Sequence, residues 1–181
     1  MKSLANTKGH ALRYARPFFN QWIKSSLILS ILLILLNHKV LAAKPAPKFW
    51  ISNLEGTRYH SKKNARNQII SFFYVDCVPC RKEISDLYLT VTQKLRDVDL
   101  LFIDPRKEDS IGRIKWLAQK LNVPEKYFYH DALSSLADKF FPPQKSRVFP
   151  TIILIQNHRI IATWHEFSGA RKQELITLFG R

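Results

Sequence analysis

The feature that most constrains this chain is a pair of cysteines, Cys77 and Cys80, separated by two residues. They are the only two cysteines among 181 residues. A nearly continuous apolar run, residues 69–74, precedes them, and apolar residues with helical spacing follow. Only a thiolate attacks a disulfide, and the start of a helix favours negative charge through its dipole and unpaired N–H groups. The arrangement therefore predicts a dithiol/disulfide site at a strand–helix junction.

The two sulfurs of such a site have different roles. We expect Cys77 to be the more exposed sulfur, with a thiol pKa below the ~8.5 of free cysteine, and Cys80 to resolve a mixed disulfide from one helical turn later. The alternative is a structural disulfide or two buried thiols. A bridge over two residues closes too small a loop to remove much unfolded-state entropy, which argues against a structural role. Two cysteines alone also cannot complete a structural zinc site, which needs four ligands.

The first 43 residues differ from the rest of the chain. They contain six basic residues, no acidic residue and an uncharged apolar core at residues 27–36. That core is short for a membrane span, which needs about 20 residues, but it suits a signal peptide, and Ala42 and Ala43 suit cleavage. We predict a bacterial-type export signal over residues 1–43, with an uncleaved membrane anchor as the alternative. Residues 44–181 form the predicted domain, which begins with a proline-bearing linker at residues 44–48.

The charge of the chain is strongly basic, with 29 Lys and Arg against 14 Asp and Glu. Six of the basic residues lie in residues 1–43, so the remainder has a net charge of +9. A basic surface can favour anionic membranes or acidic partners, but scattered charges are also typical of a solvated face. The densest basic patch, Lys62, Lys63 and Arg66, has no interleaved aromatic residues. We therefore expect no nucleic-acid binding.

The domain alternates between strand and helix patterns. Two segments within residues 49–60 flank Gly56 and predict a β-hairpin, and a strand, a helix and a strand within about 35 residues predict a βαβ unit with a right-handed crossover. Pro150 cannot donate a ladder hydrogen bond and is expected at a strand entrance. The further predicted strands are at residues 69–74, 98–104, 127–129, 148–155 and 160–164. One helix is predicted from Cys80, with the apolar stripe Ile84, Leu87, Val91 and Leu95, and others at 111–121 and 170–178. A further helix is predicted from a cap at Asp131 to Phe141, where Pro142 and Pro143 end it.

This order, the Cys-x-x-Cys pair that opens a helix after a central strand, and Phe149-Pro150-Thr151 before a late strand resemble the thioredoxin fold. More narrowly, the sequence resembles the exported TlpA/ResA-type thiol–disulfide oxidoreductases, which include reductases of cytochrome c maturation. The resemblance covers about residues 46–180 and includes the hairpin with Leu54-Glu55-Gly56. It implies an α/β chain with a thioredoxin-like three-layer α/β/α fold, a central mixed sheet and an extra N-terminal β-hairpin.

The resemblance also implies roles at matching positions. Cys77 is then the nucleophile, Cys80 the resolving thiol and Pro150 a cis proline that faces them; an ordinary trans proline at a strand edge is the alternative. The backbone of Phe149 is expected to pair with an extended substrate segment. The expected substrate contacts are Phe149, Thr151, Val78 and Pro79.

Three positions depart from the family pattern. Asp76 replaces the usual Trp before the first cysteine, and its carboxylate is expected to raise the pKa of Cys77. Ser71 replaces the buried acid that handles protons in thioredoxin. Glu83 is then a candidate for proton transfer with Cys80, although we expect an exposed glutamate in the first turn of the helix. Phe149 is bulky for its position and is expected to favour apolar partners.

The leading functional hypothesis is an exported reductase of protein disulfides. Its expected partners are exported proteins such as apocytochrome c and a membrane electron donor, its only redox group is the Cys77–Cys80 disulfide, and it has no metal. The direction of electron flow stays open. The alternative is a Cu(I) chaperone that binds the ion through both thiolates, with His165 as a further ligand or as a surface residue. The lack of methionine beyond Met1 argues against it. A redox-inactive adaptor is disfavoured because both cysteines are present.

Overall fold

The computed structural model describes residues 44–64, 66–141 and 147–180. The strands are β1 (Lys44–Pro45), β2 (Trp50–Ser52), β3 (Arg58–His60), β4 (Asn67–Phe72), β5 (Val98–Asp104), β6 (Phe128–His130), β7 (Thr151–Gln156) and β8 (Arg159–Trp164). The helices are α1 (Val78–Lys94), α2 (Ile111–Lys120), α3 (Ala137–Phe140) and α4 (Gly169–Phe179), with a 3₁₀ turn at Glu125–Tyr127.

The predicted export segment, residues 1–43, lies outside the described residues. Within the described ranges, each helix is too short or too polar to cross a membrane.

Six strands form one mixed sheet in the order β1-β8-β7-β4-β5-β6. β4 pairs in parallel with β5, and β5 in parallel with β6, whereas β7 is antiparallel to β4 and β8 is antiparallel to β7. β4 is therefore central, and every residue from Ile69 to Phe72 is fully buried. This confirms the prediction of a central strand covered on both faces, which requires a near-continuous apolar sequence.

The sheet separates two hydrophobic cores. Ile69 and Phe73 pack in one core with the apolar faces of α1, α2 and α4. Ile70 and Phe72 pack in the other with the β2–β3 hairpin and α3. Alternate side chains of a strand point to opposite faces, so one strand contributes to both cores. The predicted three-layer arrangement with a mixed sheet is confirmed.

Helix α1 is amphipathic in the predicted register. Ile84, Leu87, Val91 and Leu95 are buried on one face, as expected from their spacing of three and four. The crossovers β4–α1–β5 and β5–α2–β6 step in the same direction along the sheet. Right-handed crossovers then place both helices on the same face, which agrees with their shared core.

The predicted N-terminal hairpin is present as a separate two-stranded sheet. β2 pairs with β3 in antiparallel register, with Ile51 opposite Tyr59. Gly56 in the connecting turn has a φ of +84°, a conformation that favours glycine. The side chain of Asn53 closes the turn by accepting N–H bonds from Glu55 and Thr57.

Two predictions about local structure are wrong in part. Lys44 and Pro45 are not only linker residues, because they pair with β8 at the edge of the main sheet. The helix predicted from Asp131 to Phe141 is only the single turn α3. Ser134 has a φ of +55°, and the Asp131 carboxylate accepts the N–H groups of Leu136 and Ala137, so a capped loop replaces the first half of the predicted helix. Pro142 and Pro143 lie outside the described residues.

Candidate active site

The two cysteines form a disulfide at the junction of β4 and α1, with Cα atoms 5.2 Å apart. Cys77 is the N-cap residue of α1, and its Sγ accepts a hydrogen bond from the backbone N–H of Cys80 at 3.2 Å. Pro79 occupies the first turn, where a missing N–H costs nothing. A thiolate at Cys77 would thus lie at the N-terminal end of the helix dipole. The predicted placement of the pair is confirmed.

In the disulfide form both cysteines are buried, Cys77 at 2% exposure and Cys80 at 0%. The expected difference in exposure therefore has the predicted direction but is small. The two residues between them are exposed, and Val78 is 73% exposed. Val78 and Pro79 therefore lie at the surface next to the disulfide, and their contact with substrate stays a prediction.

Pro150 directly precedes β7, and the Phe149–Pro150 peptide bond is cis, as the resemblance implied. Pro150 is buried, and Phe149 is partly exposed and packs against the core that contains the disulfide. The role of Pro150 and of the Phe149 backbone in substrate binding stays a prediction.

Thr151 is expected to contact substrate, and this contact stays a prediction. Thr151 is fully buried, and its hydroxyl donates to the carbonyl of Val148 at 2.6 Å and lies 3.0 Å from Nδ1 of His165. Its hydrogen-bonding capacity is therefore used inside the protein. His165 is exposed and bonded to Thr151, and the described ranges contain no group of three or more His, Cys, Asp or Glu side chains placed to hold a metal ion.

A cleft of about 360 Å³ adjoins the site and is lined by Tyr74, Pro105, Arg106, Arg147 and Phe149. The rings of Tyr74 and Phe149 meet edge to face at 5.6 Å, and the guanidinium of Arg106 lies 4.8 Å from the Tyr74 ring centre. The Tyr74 carbonyl accepts the N–H of Cys77 at 3.1 Å, which links the cleft to the cysteine pair. Sequence reasoning missed Tyr74 and Arg106, because the cleft forms from separate loops.

Glu83 contradicts the expectation of an exposed glutamate. It is 4% exposed, and its Oε1 accepts a hydrogen bond from the Ser71 hydroxyl of β4 at 3.0 Å. Burial raises the pKa of Glu83 to about 7, although the bond from Ser71 opposes the shift. The helix thus supplies a buried acid next to the position where the strand has Ser71. The apolar stripe of α1 contained the signal, since Glu83 shares the inward face of Cys80 and Leu87.

Asp76, whose carboxylate was expected to raise the pKa of Cys77, has cationic partners. One nitrogen of the Arg113 guanidinium, Nη2, donates to both Asp76 oxygens at 2.7 and 2.8 Å, and Arg81 lies 3.9 Å away. The hydrogen bond from Arg113 holds the pKa of the Asp76 carboxyl below its usual range. The carboxylate next to Cys77 is therefore paired with cations.

A second carboxylate, Asp109, binds the loop that precedes Cys77. Asp109 is 3% exposed, and it accepts the N–H of Val75 at 3.1 Å and a bond from Nη1 of Arg113 at 2.5 Å. Nearby Asp104 is fully buried at the end of β5, and burial, reinforced by the charge of Asp109, raises its pKa to about 8. Nothing in the sequence pattern singled out these two residues.

No protein-family model matches the chain, and no curated protein matches it. Solved structures with similar folds exist, and the three described below are each less than 20% identical to this chain. The thiol:disulfide interchange protein from Chlorobium tepidum, of the thioredoxin family, has a TM-score of 0.63 and 19% identity, covering 76% of this chain and 96% of that one.

Two further structures agree. StoA from Bacillus subtilis has a TM-score of 0.59 and 17% identity, covering 75% of this chain and 97% of its own. A secreted disulfide oxidoreductase of Mycobacterium tuberculosis homologous to E. coli DsbE has a TM-score of 0.57 and 16% identity, covering 71% of this chain and 92% of that one. The chain has a thioredoxin-like α/β fold, with a Cys-x-x-Cys pair at disulfide distance where α1 begins.

Proposed function

We propose that this chain is an exported thiol–disulfide oxidoreductase that reduces protein disulfides through Cys77 and Cys80. The observation that supports it most directly is the position of the pair, since Cys77 caps α1 and its sulfur already accepts the N–H of Cys80. That environment stabilises a thiolate, the reactive form of cysteine. The similar solved structures, several of which are described as thiol–disulfide oxidoreductases, support the same reaction class.

The proposed reaction starts from the dithiol form. The Cys77 thiolate attacks one sulfur of a substrate disulfide, and the other substrate sulfur leaves as a thiolate that takes up a proton. Cys80 then loses its proton and attacks the Cys77 sulfur, which releases the second substrate thiol and forms the Cys77–Cys80 disulfide. Two electrons pass to the substrate, and a membrane electron donor must return the pair to the dithiol.

Glu83 is the proposed proton acceptor for Cys80. It lies one helical turn beyond Cys80 on the same buried face, and its pKa of about 7 suits a base that works near neutral pH. No cofactor beyond the cysteine pair is needed for this chemistry.

The proposed substrate segment binds in extended form beside Phe149, with Val78 and Pro79 against the substrate near the disulfide. The cleft between Tyr74 and Phe149 gives this surface an aromatic wall. The substrates are exported proteins with a disulfide, apocytochrome c among them. Export to the periplasm is proposed from residues 1–43, with an uncleaved membrane anchor as the alternative to a cleaved signal, and nucleic acid is not a proposed partner.

The test is the equilibrium reduction potential of the pair in the full chain, measured against dithiothreitol and glutathione. A reductase predicts a value near that of thioredoxin, about −270 mV. A value near −120 mV, about that of a strong disulfide donor, would overturn the proposed direction. The Cys77→Ser variant is the control and should show no two-electron transition, while Cys80→Ser should accumulate a mixed disulfide with substrate.

A further inference from the structure

One guanidinium connects the start of α2 to the loop that carries the nucleophile. Nη2 of Arg113 donates to both oxygens of Asp76, and Nη1 donates to Asp109. Asp109 is buried and also accepts the N–H of Val75, two residues before Cys77. Arg113 thus pairs with two carboxylates that fix the loop. Asp109 binds the backbone N–H of Val75 in that loop, and Asp76 is a loop residue held by its own side chain.

The charge balance at this point matters for the chemistry. Asp76 precedes Cys77 directly, and a negative charge there disfavours a thiolate. Two features favour the thiolate: the α1 dipole and the cations that face Asp76. These cations are Arg113, Arg81 and, at longer range, Arg106. Arg81 is already engaged, because its Nε and Nη2 donate to the carbonyl of Val75. Arg113 is the cation that binds both oxygens of Asp76.

Two other carboxyl groups contact the segments next to the cysteines. Asp109 also pairs with Arg113, and Glu83 packs on the inward face of α1 with a partner of its own, Ser71. Neither of these carboxyls contacts Asp76 among the described residues. The net charge next to the nucleophile therefore depends on whether Arg113 stays in place.

We propose that Arg113 is a positioning residue that pairs the Asp76 carboxylate and so lets α2 tune the thiolate reactivity of Cys77. This rests on the proposed function of the Cys77–Cys80 pair, and it adds a device outside the Cys-x-x-Cys segment. Loss of the cation removes the hydrogen bonds to the Asp76 carboxylate and leaves it only the weaker pairing with Arg81 at 3.9 Å, which favours the thiol at the adjacent Cys77 and a more reducing pair. Loss of the Asp76 carboxylate removes the negative charge next to Cys77 and leaves Arg113 paired with Asp109 alone, which has the reverse effect.

The test is the thiol pKa of Cys77 in the reduced full chain, from the pH dependence of thiolate absorbance and of iodoacetamide alkylation. For an exposed pair we expect Arg113→Gln to lower the thiolate fraction about threefold, or about half a pKa unit. Asp76→Asn should shift the pKa of Cys77 in the opposite direction, and the double variant should return close to wild type. Above the thiol pKa, the potential of Arg113→Gln should become ~15 mV more negative.

The matched control is Lys115→Gln, which removes a cation from the same helix that pairs with Glu125 at 2.9 Å. It should leave the pKa of Cys77 unchanged. Arg113→Lys keeps the charge without the planar fork, so its Cys77 pKa should lie between those of the wild type and Arg113→Gln. Shifts in the same direction for Arg113→Gln and Asp76→Asn would indicate only a loosened loop and overturn the proposal. An equal shift in Lys115→Gln would also overturn it.

Folding and function are separable in this design. If Arg113→Gln does not fold, Arg113→Lys takes its place: a smaller rise in the pKa of Cys77 supports the proposal, and no rise overturns it. A pair that shows no reversible two-electron transition in the wild-type chain would defeat the proposed function. A reversible pair whose Cys77 pKa ignores both substitutions would defeat only the role of Arg113.

Discussion

At the scale of single residues, the buried carboxyl of Glu83 is the group whose position most affects the proposed chemistry. Its one hydrogen bond comes from Ser71, and its second oxygen, Oε2, has no hydrogen-bond partner among the described residues. A buried carboxyl with few hydrogen-bond donors has a raised pKa, so it is less ionised at neutral pH than an exposed carboxyl. Glu83 can therefore accept a proton near pH 7, which an exposed glutamate with its ordinary pKa does poorly.

We expect Glu83→Gln to slow the resolving step about 100-fold at pH 7, since the base is lost. The measurement is the release of thionitrobenzoate from Ellman's reagent by reduced protein. The first equivalent reports attack by Cys77 and the second reports resolution by Cys80. Only the second should slow.

The pH dependence gives the sign of the effect. The carboxylate is the active form, so the wild-type resolving rate should rise with pH through about 7, and Glu83→Gln should lose this rise. In Ser71→Ala the bond that lowers the pKa of Glu83 is absent, so the midpoint should move to higher pH. An unchanged second phase in Glu83→Gln would assign the proton to water instead.

At the scale of elements, the start of α3 is capped by a residue that lies outside the helix. This helix has one turn, and its N-cap residue, Leu136, makes no side-chain capping bond. Asp131, five residues earlier and 7% exposed, accepts the N–H groups of Leu136 and Ala137 at 2.9 Å each. The carboxylate supplies the acceptor that the helix start lacks, which explains how such a short helix keeps Ala137 in the core.

We expect Asp131→Ala to lower the free energy of unfolding by about 3 kcal/mol, because two buried N–H groups lose a charged acceptor. Chemical denaturation of the oxidised protein measures it. Ser135→Ala is the matched control, since Ser135 donates only to the other oxygen of Asp131, and it should cost less than about 1 kcal/mol. Equal losses in both variants would mean that the cap is not the source of the stability.

At the scale of the whole molecule, the sheet is covered on both faces. Ile69 belongs to the core under α1, α2 and α4, and its neighbour Ile70 belongs to the core under the hairpin and α3. Both are fully buried. A sheet with one solvated face would leave one of two consecutive residues exposed.

We therefore expect Ile69→Val and Ile70→Val to destabilise the fold by similar amounts, about 1 kcal/mol each. The double variant should show the sum, because the two side chains pack in different cores. Denaturant unfolding of the three variants measures this. A loss confined to one of the two positions would contradict the two-sided core.

Sequence alone predicted the β4–α1 junction, the cysteine pair and the order of most elements. Those features follow from local signals: apolar periodicity, the two-residue spacing of Cys77 and Cys80, and the proline before β7. It failed at Asp131, where a loop with a positive φ at Ser134 replaces half of the expected helix. Local propensity does not report that the Asp131 carboxylate accepts the N–H groups of residues five and six positions later.

Only the tertiary structure decided which charged groups pair with each other around the cysteine pair. Glu83 is bonded to Ser71 across 12 residues of chain, and Asp76 to Arg113 across 37. Such partners have no fixed spacing, because the sheet and its crossovers bring them together. The pKa of a carboxyl depends on burial and on these neighbours rather than on its own position in the chain. The sequence by itself thus determined which bond can be made and broken, and the fold decided which groups control its protons.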